Sequence, residues 1–243
     1  MITPPIPLHV SALFIALVFG IAFFSIIAVH VCGLRGGLAF EDRRRNLSVT
    51  ILFLLVWLAF TNIIAMSGLL ADFTSMPPMF LLVVLPPFLF IAVLMQAKVF
   101  NDLSENISGF WFVYAQSFRI LMEFILWLLY RYRIIPVQMT FEGLNFDILI
   151  GLSAPFVAYY CFIKKSWSWK VALGWNIAGL LLLANIVTVA VLSTPYPFRH
   201  FMNEPANTVI FNFPFVWLPS LVVPFALLLH LISIRRLLRY KAV

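Results

Sequence analysis

Arg119 and Glu123 stand four residues apart near the middle of an apolar run, 108–130, and are the side chains best placed to do chemistry. A guanidinium or carboxylate at the centre of a membrane helix costs about 2.5–3.5 kcal/mol on insertion scales, so such groups turn inward and find partners. Gln116, Arg119, Glu123, Trp127 and Tyr130 recur at three- and four-residue steps, which puts them on one helical face. The chemistry expected of that face is recognition of a small polar or anionic solute. Arg119 is its counter-charge, Glu123 tunes it or exchanges a proton, and Gln116 orients the solute. Trp127, Tyr130 and, from another run, Asn62 complete the expected substrate-binding set. A structural role competes with this one, in which Arg119 and Glu123 satisfy each other at i,i+4 and only fix packing. Mutual pairing still leaves several guanidinium donors in need of acceptors.

The remaining reactive types are less organised. His30 and His230 each lie five residues before an arginine, Arg35 and Arg235, near the inner ends of the first and last apolar runs. If those runs are neighbours, the two imidazoles could share a haem iron, and a transmembrane electron carrier is a further reading. Cys32 and Cys161 form no disulfide framework. All five lysines fall at run boundaries or beyond, which leaves no mid-membrane amine for a Schiff base. No HExxH, GxGxxG or GxxxxGK[ST] is present, so no catalytic, metal or nucleotide fingerprint names a reaction. Asn176 and Asn185 are nine positions apart and cannot both line one cavity from a straight helix.

The elements that must position these groups are membrane helices. Of 243 residues, 63% are hydrophobic and only 10% charged, against roughly 25% charged in soluble domains. Apolar stretches of about 20 residues read as spans at 8–31, 49–70, 79–97, 108–130, 147–163, 170–192 and 209–234. The expected fold is an all-α integral membrane protein, a single seven-helix transmembrane bundle covering residues 1–243. No basic residue precedes the first run, so it is expected to stay as a helix rather than to be cleaved as a signal peptide.

Basic residues are retained on the cytoplasmic side. With the N-terminus outside, twelve of the sixteen Lys and Arg fall on the inner side, Lys241 among them; three, Arg131, Arg133 and Arg199, fall outside, and Arg119 lies within a run. The expected orientation is therefore N-terminus out and C-terminus cytoplasmic, in an inner, plasma-type membrane. The net charge of +7 does not point to nucleic acid, because the basic residues sit in short clusters beside apolar runs, as anchors to lipid headgroups do.

No stretch between the runs exceeds about 16 residues; the inner segment 32–48 and the outer segments 131–146 and 193–208 are the longest. None can fold alone. The 131–147 stretch alternates aromatic and aliphatic residues with polar ones and is expected to be ordered, with Asp147 capping the next helix. Spans three and seven share a proline–aromatic element, Leu85-Pro86-Pro87-Phe88 against Val223-Pro224-Phe225. Three helices, a linker helix and three more form an arrangement similar in outline to the SWEET sugar carriers, a likeness of topology that lacks a proline–glutamine pair in spans one and five. The functional expectation is a carrier or channel for a small polar or anionic solute. The alternative is a non-transporting subunit or sensor that docks a partner membrane protein.

Overall fold

The computed structural model describes residues 5–240; Lys241, counted above among the inner basic residues, lies outside them. The protein is all-helical, with 74% helix and no strand among the described residues. In chain order the helices are α1 (Leu8–Arg35), α2 (Phe40–Met66), α3 (Leu81–Gln96), the short α4 (Lys98–Ser104), and α5 (Gly109–Tyr114). A single 3-10 turn, Ala115–Ser117, joins α5 to α6 (Phe118–Arg131). Then follow α7 (Asp147–Ala158), extended by a π turn to Ile163, α8 (Trp169–Leu192), and α9 (Val223–Tyr240), which a π turn at Leu218–Val222 precedes. Among the described residues, five continuous stretches are long and apolar enough to cross a bilayer: Leu8–Arg35, Phe40–Met66, Gly109–Arg131, Trp169–Leu192 and Leu218–Arg239. The chain is a membrane-embedded, multi-pass protein. Leu81–Gln96 and Asp147–Ile163 are apolar but shorter.

Two boundaries differ from those expected. The segment 32–48, expected as a loop, is mostly helix, since α1 runs to Arg35 and α2 resumes at Phe40 after only a four-residue turn, 36–39. Charged residues do not stop a helix whose hydrogen bonds are internal, and Glu41 and Asp42 in the first turn of α2 suit the positive end of its dipole. The last span begins at Leu218, not 209. Pro214 lies just ahead of that start and Pro219 in its first turn, and the residue before a proline is disfavoured in the helical region.

α9 lies at the centre of the packing, against α8, α5 and α3, while α1 packs on α2 and α6, and α7 on α5, α6 and α8. The largest core cluster gathers Phe14, Ile125, Leu129, Ile135 and Phe215. Proline breaks are repaired by side chains from other helices. Pro224 has no N–H to give Ser220 O one turn earlier, and the indole Nε1 of Trp57 in α2 donates to that carbonyl at 2.9 Å. In return, Trp217 Nε1 donates to Leu58 O at 3.2 Å. Two indoles thus staple α2 to the irregular start of the last span.

Candidate functional site

The site is built along one face of α6. From Arg119 to Arg131 the helix climbs about 18 Å at 1.5 Å per residue, and the chain after Arg131 then turns back and descends along the same face. Trp127 Nε1 donates to Glu142 Oε1 at 2.6 Å, Asn145 Nδ2 donates to both Glu123 oxygens at 2.7 and 2.8 Å, and Arg119 Nη1 lies 3.0 Å from Asp147 Oδ1. Each i,i+4 step down α6 therefore meets a residue further along the returning loop. The loop is buried as it descends, with Ile134, Ile135, Met139, Thr140 and Asn145 all enclosed. Irregular backbone at this level is tolerated because protein, not lipid, surrounds it. Gln138 Nε2 donating to Ser193 Oγ and Asn185 Nδ2 donating to Leu144 O tie it to α8.

Asn145 is the hinge of the arrangement. Its Nδ2 holds the Glu123 carboxylate, while its Oδ1 accepts the Asp147 N–H at 3.1 Å, so one side chain both clamps an acid and starts α7. Close approach of α7 to α6 depends on Gly151, where a Cβ would sit 2.9 Å from Ile120 N. Asp147 thereby arrives at the level of Arg119, and neither side chain reaches solvent beyond 8% of its surface.

The ion pair is incomplete as a hydrogen-bonding unit. Its Nη1 and Oδ1 are close, but the approach is misaligned for an N–H···O bond, and Arg119 Nε, Nη1 and Nη2 are all without a hydrogen-bond partner among the described residues. With all three groups ionised, Arg119, Asp147 and Glu123 carry one surplus negative charge. These three groups form the charged end of a cavity of about 110 Å³ enclosed by α3, α6, α8 and the start of the last span. Its other walls are apolar, with Phe88, Met122, Leu183, Val187, Val222 and Ala226 among them.

The members of the expected face part company. Arg119 and Glu123 line the cavity; they do not pair with each other, since Asp147 takes the first and Asn145 the second. Gln116 is fully buried and donates through Nε2 to Ala226 O of α9, outside the cavity. Trp127 faces the loop through Glu142, with the Arg131 guanidinium over its ring, and Tyr130 packs at the edge of the main core. Asn62 lies on α2 and does not reach the cavity.

His30 is exposed on α1, whereas His230 is fully buried and turns into α8. There its Nδ1 lies 2.9 Å from Asn176 Oδ1, and Asn176 Nδ2 donates to Ser233 Oγ. The α1-facing side of α9 is instead Leu229 and Ile232, which cluster with Cys32, so the two imidazoles are not brought together. Among the described residues no three His, Cys, Asp or Glu side chains group as a metal site. Asn176 and Asn185 point to different partners, His230 and the loop, as their spacing requires.

Asp147 and Asn145 are absent from the expected substrate-binding set; Asp147 was expected to cap a helix or to join Arg131, Arg133 and Glu142 in a charged vestibule above the Arg119 face, not to pair with Arg119. The signal lay in length. The run 147–163 reaches only about 26 Å as a helix, short of the roughly 30 Å hydrocarbon layer, so its first residue belongs below the interface, where a buried arginine needs a carboxylate.

Residues 76–238, well over half of the chain, match the family model of a domain of unknown function, DUF8737. The chain belongs to the DUF8737 family. No curated protein and no solved structure matches it. The DUF8737 region begins just before α3 and contains every residue that lines the cavity, together with Asn145 and the Asn176–His230 pair, while α1 and α2 precede it.

Proposed function

We propose that this protein is a carrier of an inner, plasma-type membrane that binds a small solute in the cavity at Arg119. One observation carries the reading. A guanidinium only 2% exposed borders an open space and has no aligned acceptor on any nitrogen. A buried donor left unmade costs about 1–3 kcal/mol, and more when charged, so such a group is completed by a ligand or by water. The cavity is somewhat smaller than a 150 Å³ engineered cavity that binds benzene, which bounds the enclosed part of a solute to about six heavy atoms.

Arg119 donates to an oxygen of the solute, Asp147 holds the guanidinium in place, and Asn145 keeps Glu123 beside it. Because two carboxyl groups already face the guanidinium, a neutral oxygen-bearing solute suits the site better than an anion. The irregular helices around the cavity support carriage, as broken helices serve binding and gating in transporters. They are the 3-10 turn at Ala115–Ser117, Pro86 and Pro87 in α3, and the π turn at Leu218–Val222. Counting Leu81–Gln96 and Asp147–Ile163 as crossings gives seven passes, and the bias of Lys and Arg supports an N-terminus outside and a cytoplasmic C-terminus. Proteoliposomes are expected to take up small neutral solutes with a hydroxyl or carbonyl oxygen. Arg119→Ala should abolish the uptake and Asn62→Ala should leave it intact. Equal flux in wild type and a monodisperse Arg119→Ala protein would reject the mechanism.

A further inference from the structure

We infer that the occupant of the Arg119 cavity is a neutral single-chain amphipath, an aliphatic chain ending in one hydroxyl or carbonyl oxygen, which enters sideways from the lipid between α3 and α8. This rests on the cavity reading above and names its ligand class and its route.

Three observations carry it. The first is where the cavity is closed. Phe80, Met139 and Ile210, contributed by the segments that join helices at the outer end, line it and are themselves buried, so it is roofed. The lining residues that keep part of their surface exposed include Val84 and Phe88 of α3 and Ile186, Val187 and Val191 of α8. These two helices flank the cavity but share no extended packing interface. The opening is therefore lateral, toward the surface that an apolar helix presents to lipid.

The second observation is composition against size. Apart from the three charged groups the wall is apolar, which suits a hydrocarbon and leaves a sugar or amino acid with unmatched hydroxyls or charges. The volume holds about six heavy atoms, so a head and first methylenes fit inside while a longer tail passes between α3 and α8 into lipid.

The third is charge. Arg119 offers donors without acceptors, which calls for an oxygen. Two carboxyl groups, Asp147 and Glu123, already face the guanidinium, and an anionic solute in this low-dielectric site would face repulsion from each of them that is ionised. A neutral oxygen meets both conditions.

The test uses the full chain in lipid nanodiscs with a decanol that carries a photoreactive diazirine on its tail. Crosslinks are expected on α3 and α8 beside the lateral opening. Unlabelled decanol should compete, decanesulfonate should compete at least tenfold less well, and decane should not compete. Val187→Trp, which fills the opening without touching the charged cluster, should lower crosslinking at least tenfold in a protein that elutes as wild type does. It is the control for Arg119→Ala, which is expected to weaken binding similarly but could also perturb folding. Crosslinking unchanged by Val187→Trp, or better competition by decanesulfonate than by decanol, would overturn the inference. If it fails while Arg119-dependent uptake of a water-soluble solute persists, the cavity reading stands and only the ligand and route fall. If both fail, Arg119 is not a binding group.

Discussion

Arg119 sits between two acids but belongs to one of them, and that division determines what substitutions do. Removing one partner of a buried ion pair strands the other, at a cost of about 3–5 kcal/mol, whereas replacing both by neutral groups costs far less. Asp147→Asn alone is expected to lower stability by that amount, and Arg119→Gln with Asp147→Asn by less than the sum of the singles. A cycle of thermal unfolding in detergent checks this, and strict additivity would show that the 3.0 Å contact carries no coupling. Glu123 has a different role, since Asn145 already serves both its oxygens. With Glu123 ionised, Glu123→Gln removes one of the cluster's two negative charges and should turn preference toward anions. Two unit charges ~6 Å apart at an effective dielectric of 20 interact by about 3 kcal/mol, so the anion-to-neutral uptake ratio should rise at least tenfold. An unchanged ratio would mean that Glu123 is not charged when the solute binds.

The helices are held in register by close approaches that leave little room for change. Gly179 of α8 packs on the His230 ring, where a Cβ would lie 2.4 Å from Cε1. Gly179→Ala is therefore expected to destabilise by about 1–3 kcal/mol through overpacking, and a smaller side chain at 230 should relieve part of that loss. If Gly179→Ala with His230→Ala is no more stable than the sum of the single effects allows, the α8–α9 contact is not the cause.

The α2–α3 connection depends on a turn in which Ser75 and Thr74 donate to the Asp72 carboxylate, and those hydrogen bonds hold its pKa down at about 2. A depressed carboxyl contributes stability that is complete above its unfolded value of about 3.9 and is lost as pH falls toward the folded value. Amide exchange at Thr74 and Ser75 should accelerate as pH drops from about 4 to 2, relative to the intrinsic rate. Exchange that tracks the intrinsic rate throughout would show that the turn does not depend on this charge.

At the scale of the molecule, orientation rests on charge asymmetry alone. One end of the bundle gathers arginines against backbone carbonyls: Arg35 donates to Asn106 O, Arg236 to Ser104 O and Arg235 to Met95 O, while Arg239 pairs with Glu105. Such a girdle suits the cytoplasmic headgroup layer. In a background lacking Cys32 and Cys161, a cysteine at Ser75 should react with an impermeant maleimide added outside intact cells, and one at Ser166 only after permeabilisation. The reverse pattern would invert the proposed topology and with it the side on which the roofed end of the cavity lies.

Arg119 and Glu123 could be singled out from their neighbours, because a charge in an apolar run has so few reasons to be there that type and spacing suffice. Helical class, membrane embedding and the shared face of Gln116, Arg119 and Glu123 were legible for the same reason: period and hydropathy are local properties. Which partner each charge takes was not legible. Arg119 and Asp147 are separated by a loop that doubles back along α6, and only the packed chain shows how deep that loop descends. The same holds for His230, which would meet His30 only if the first and last runs turned those faces to each other, and which the rotation of α9 turns toward Asn176 instead. Sequence alone determined which groups must be enclosed, since desolvation acts on a residue wherever it lies. Tertiary structure decided what encloses them, since a contact between distant residues exists only once the backbone between them has taken its path.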